Sequence, residues 1–65
     1  MEWSLIIKKL RETLLLSQTE MADLLGVSFA SVNRWENGKN DPTIKVKRKI
    51  KKLCLDNGVS MDTKE

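Results

Sequence analysis

A chain of 65 residues holds one domain around one modest core, since a chain this size buries only about 60% of its extended surface on folding. One cysteine and no histidine exclude a disulfide within the chain, leave few metal sites and remove the Cys/His and Ser/His catalytic sets. The net charge of +3 is uneven, at −1 over residues 1–33, +6 over 34–55 and −2 over the last ten, so a basic stretch begins at Arg34. That stretch suits a polyanion, or is an ordinary solvated basic helix, and charge alone leaves both open. No apolar run approaches the ~20 residues that span a bilayer, and Lys8-Lys9 interrupt the N-terminal apolar residues of a would-be signal peptide. The expectation is a soluble cytoplasmic protein with no membrane partner, no cofactor, no evident small-molecule ligand and no enzymatic activity. Glycine and proline are scarce and apolar residues recur at helical spacing, so the chain reads as all-α. A first helix is expected from about Trp3 to Leu15, with Trp3, Ile6, Ile7, Leu10 and Leu14 as one stripe.

Ser17 opens a second helix. Ser17-Gln18-Thr19-Glu20 has the pattern of a capping box, with Leu16 and Met21 placed as a hydrophobic staple across it. Leu24 and Leu25 complete this short helix, and Gly26 supplies the positive φ that ends one. Ser28 caps a third helix stapled by Val27 and Val32, which stops at Asn37-Gly38. Lys39 to Pro42 reads as a loop. A fourth helix begins near Asp41 or Thr43, with Pro42 suited to a first-turn position, and runs to Asn57-Gly58. Val46, Ile50, Leu53 and Cys54 form its inward face. Residues 1–58 are thus read as one compact domain of four helices, or five, and Val59 to Glu65 as a flexible tail that frays.

Two short helices joined by a Gly-containing turn of about three or four residues form the DNA-binding helix-turn-helix. Here that unit runs from about Ser17 to Gly38. Ala22 sits at the crossing, Gly26 permits the turn, and Val32 and Trp35 pin the third helix to the body. Ser28, Phe29, Ala30, Asn33 and Arg34 are left on its outer side, where a major groove ~12 Å wide would admit it.

The residues Arg11-Glu12, Leu16-Ser17-Gln18-Thr19-Glu20-Met21-Ala22, Leu25-Gly26-Val27-Ser28, Val32-Asn33-Arg34-Trp35-Glu36-Asn37-Gly38 and Pro42 together resemble the phage repressor and Cro family, also called the XRE type. The resemblance covers about residues 5–58 and implies a double-stranded DNA partner and a transcriptional regulator, in the first instance a repressor. It implies that Gln18 meets a phosphate and buttresses a base-contacting side chain. Ser28, Phe29, Ala30, Asn33 and Arg34 would face base edges, and Asn37 to Lys39 would offer donors to phosphates. Arg11 and Glu36 match a partly buried salt bridge between the first and third helices. Phe29 stands where many members carry a polar residue such as Gln. It would touch a thymine methyl or a partner protein. The sequence stops about where many members add a fifth helix that supports dimerisation, and a homodimer, at least on DNA, is the expectation.

Each assignment has a plainer counterpart. Arg34 grips guanine through O6 and N7, or meets a phosphate without sequence preference. Asn33 reads adenine or is solvated. Trp35 and Trp3 are core residues before they are a stacking platform or a dimer contact. Lys45 to Lys52 hold six basic residues in eight, too widely spread round a helix for all of them to reach one duplex. Lys39 and Lys45 are placed near phosphate and the others add diffuse steering. Cys54 is a small buried hydrophobe. Arg11–Glu36 is otherwise an exposed pair of little worth. Two alternatives to a free-standing regulator remain: the DNA-binding module of an autoregulating antitoxin or larger protein, and a protein-interaction module of the same fold.

Overall fold

In the computed structural model, which describes residues 2–61, local capping decides where each helix starts. The helices are α1 (Trp3–Thr13), α2 (Gln18–Leu25), α3 (Phe29–Glu36) and α4 (Ile44–Asp56), with no strand among the described residues. The Ser17 hydroxyl accepts the Glu20 N–H at 3.1 Å while the Glu20 carboxylate accepts the Ser17 N–H at 2.9 Å, a complete capping box. Ser28 accepts the Ser31 N–H at 3.2 Å. Thr43, rather than Asp41, caps α4. Pro42 therefore precedes the cap and is buried there instead of occupying the first turn.

The helix ends share one device. At the end of α2, Gly26 takes φ 72°, with the Gly26 N–H bonded to the Asp23 carbonyl and the Val27 N–H to that of Ala22. This left-handed closure satisfies carbonyls that the last turn would otherwise leave open. At α1 the same closure is made by a leucine. Leu15 has φ 58°, its N–H bonds to the Glu12 carbonyl and that of Leu16 to the Arg11 carbonyl. The first helix therefore stops at Thr13, short of the expected Leu15. No glycine marks the stop in the sequence.

Beyond α4 the chain packs back on the core instead of fraying at once. The Val59 N–H reaches back to the Cys54 carbonyl at 2.8 Å, and Val59 is only 8% exposed, while Met61 packs against the core. An apolar residue directly after a left-handed glycine commonly folds back on the helix it terminates, so the chain does not fray at Val59. Residues 62–65 of the expected tail lie outside the described residues.

The core is built from Ile6, Ile7 and Leu10 of α1, Met21, Ala22 and Leu25 of α2, Val32 and Trp35 of α3, and Val46, Ile50 and Cys54 of α4. Trp3, Leu14 and Leu53 pack at its edge. Burial pushes the Cys54 thiol pKa up, against a smaller opposing effect of the Lys9 charge, so Cys54 packs as a neutral apolar group. No helix among the described residues is long and apolar enough to cross a membrane.

Candidate nucleic-acid interface

Helix α3 presents one stripe inward and the rest of its surface outward. Val32 and Trp35 are buried, whereas Phe29, Ala30 and Arg34 are exposed. Phe29 leaves 50% of its surface open, a large apolar area for the first turn of an outward helix. Arg34 makes no ion pair or side-chain hydrogen bond among the described residues, so its five donors stay available. The Ser28 and Ser31 hydroxyls lie 3.0 Å apart and share a hydrogen bond.

A polar chain ties this outer surface to the body of the fold. The Arg11 Nε and Nη2 atoms donate to the Glu36 carboxylate at 2.7 and 3.0 Å, and Arg11 Nη1 donates to the Leu16 carbonyl at 3.1 Å. Gln18 Nε2 donates to Glu36 Oε1 at 3.1 Å. Asn33 Nδ2 donates to Gln18 Oε1 at 3.2 Å, and Asn37 Nδ2 to Asn33 Oδ1 at 3.2 Å. One connected path thus runs from α1 through the first residue of α2 to the outer face and C-terminal end of α3. The Glu36 side chain is 5% exposed and that of Arg11 18%. Burial alone would raise the Glu36 pKa. The hydrogen bonds from Arg11 and Gln18, with the charges of Arg11 and Lys8, outweigh it and hold the carboxyl below its ordinary range. Asn33 spends one N–H and one lone pair within the path. It keeps one of each, the combination a bidentate contact with adenine uses.

The basic residues divide by position. Lys39 and Lys45 are exposed beyond the end of α3 and in the first turn of α4. Lys49 instead donates from Nζ to the Leu25 carbonyl at 3.2 Å, placing a cation at the negative end of α2. Lys47 lies 5.2 Å over the Trp3 ring, and Lys52 is 3.8 Å from Asp56. The structural tasks of Lys47 and Lys49 are invisible in sequence, because each partner lies on another helix. Only Lys52–Asp56 carries a local signal, its four-residue spacing.

The family model described as helix-turn-helix matches residues 7–62, from within α1 to beyond the end of α4. No curated protein and no solved structure matches the chain. The chain belongs to the helix-turn-helix family of phage repressor and Cro (XRE) type, a family of DNA-binding domains.

Proposed function

We propose that the protein is a sequence-specific transcriptional repressor that binds double-stranded DNA as a homodimer, each copy placing α3 in a major groove. The observation that carries this reading is the outward face of α3, where Arg34 is free among the described residues and Asn33 is held by Gln18. An α-helix with its side chains is about 10–12 Å across, so α3 fits a groove of ~12 Å width. Arg34 reads guanine, Asn33 reads adenine, and Phe29 lies on a thymine methyl, with Ser28 and Ala30 against neighbouring base edges. Gln18, Asn37, Lys39 and Lys45 meet phosphates and fix the register. Two half-sites lie about one helical turn, ~10 bp, apart.

Selection from random duplexes, followed by fluorescence anisotropy on the winning sequence, tests the proposal. One sequence class should bind far above bulk DNA, with affinity falling steeply with salt as phosphate counterions are released. Arg34→Ala should relax preference at one base position, at a cost of ~1–3 kcal/mol, while Lys39→Ala weakens all duplexes alike. Equal uniform losses from both would remove Arg34 from base reading. Failure of any sequence to exceed bulk DNA at low salt would remove the regulator altogether. The exposed Phe29 favours a second reading, in which α3 carries a protein partner. Phe29→Gln separates the two, since a DNA reader then changes its preferred base and a protein-docking helix does not.

A further inference from the structure

The basic residues of α4 fall into two rows. At about 100° per residue, Lys45, Lys49 and Lys52 lie together on one flank, and Lys47, Arg48 and Lys51 on the other. The contact of Lys49 with α2 and of Lys47 with Trp3 of α1 place the two rows on opposite sides of the core-facing stripe. The second row borders a groove of about 260 Å³ whose apolar surfaces come from Trp3, Ile44 and Met61, with Lys47, Arg48 and Lys51 around them. Ile44 is 60% exposed although it opens α4, and neither Arg48 nor Lys51 has an ion-pair partner among the described residues.

We infer that this groove docks an acidic amphipathic helix of a partner protein, one aliphatic or aromatic anchor resting on Trp3, Ile44 and Met61 and flanking carboxylates meeting Arg48 and Lys51. Charge and surface type select this occupant. A duplex would satisfy the cations but offers phosphates to an apolar floor. A second copy paired two-fold through the same groove would cover the floor but bring three cations against the same three. The groove is open along one side and smaller than the roughly 300–1,000 Å³ that encloses a small ligand. From Ile44 to Lys51 it spans about 10 Å of helix, matching two turns of a helix laid in a groove with anchors at i and i+3 or i+4.

Selection of a displayed library of random 16-residue peptides against the whole protein, with excess duplex DNA present, tests this. Enriched peptides should carry Asp or Glu around a Leu, Phe or Trp. A synthetic winner should shift the NMR signals of the Trp3 indole and the Ile44 and Met61 methyls. Reversing both exposed cations in Arg48→Glu/Lys51→Glu should weaken it at least tenfold, and Lys52→Glu on the other flank less than threefold. Ile44→Ser, and the winning peptide with its acids changed to Gln, should each bind at least tenfold more weakly, and these hold the test if the double variant misfolds. The inference is overturned by enrichment of no peptide or of non-acidic ones, by shifts centred on α3, or by equal binding to the double variant. It is also overturned if the Ile44 and Met61 signals move with protein concentration alone, which would put a second copy in the groove, or if duplex DNA displaces the peptide.

Discussion

Replacing Arg11 with Met removes three hydrogen bonds at once, two to Glu36 and one to the Leu16 carbonyl. Among the described residues, Gln18 Nε2 is then the one side-chain donor left to the Glu36 carboxylate. Hydrogen bonds to charged groups contribute about 1.5–3 kcal/mol. Exposed ion pairs contribute about 0–1 kcal/mol, and breaking a fully buried one costs about 3–5 kcal/mol. With side chains 18% and 5% exposed, the pair falls between these limits, and a loss of ~2–3 kcal/mol is expected. A domain of this size has only ~3–10 kcal/mol in total, so the melting temperature should fall by about 10–20 °C. The pH dependence carries the sharper signature. In the native protein the Glu36 carboxyl is held below its ordinary range, so its stabilisation is present above that range and is lost as pH falls through the depressed folded value. Without Arg11, burial is the dominant influence, the folded pKa rises, and protonation favours the folded state. The stability gap between variant and native protein should therefore narrow from pH 7 to about pH 5. Urea unfolding followed by the fluorescence of the two tryptophans, buried Trp35 and half-buried Trp3, measures both effects. A loss under ~0.5 kcal/mol, or a gap that does not narrow on acidification, would show that the pair behaves as a solvated surface contact.

Leu15→Gly should stabilise the protein by ~0.5–1 kcal/mol in the same assay, because Leu15 has φ 58° and is 89% exposed, so glycine removes a left-handed penalty at little loss of burial. Gly26→Ala should destabilise by ~1–2 kcal/mol through φ 72° alone, since the added Cβ would meet only Lys49 Nζ at an ordinary 3.5 Å. Lys49→Met should cost ~0.5–1.5 kcal/mol by removing the donor to the Leu25 carbonyl, and hydrogen exchange should show the gain in opening concentrated at the end of α2.

What the sequence determined by itself is the local grammar of the fold. Ser17 with Glu20, Ser28, Gly26 and Gly38 act through hydrogen bonds within a few residues, so the start and end of α2 and α3 could be read directly. The same logic marked Trp35 and Val32 as the inward stripe of α3. The stop of α1 escaped because a leucine took the left-handed turn that glycine normally announces. The packing of Val59 escaped because a short polar tail outweighed the apolar residue that follows Gly58. Tertiary structure alone decided the rest. The resemblance implied the Arg11–Glu36 pair and a buttressing Gln18, but the links from Gln18 to Glu36 and to Asn33 form only where α2 crosses α3, and Arg11 reaches Glu36 from 25 positions away along the chain. The six cations of α4 look alike in sequence, yet Lys49 ends on α2 and Lys47 on Trp3 of α1. Periodicity says which face of a helix turns inward, but a side chain's partner depends on which helix lies opposite, and only the assembled core fixes that.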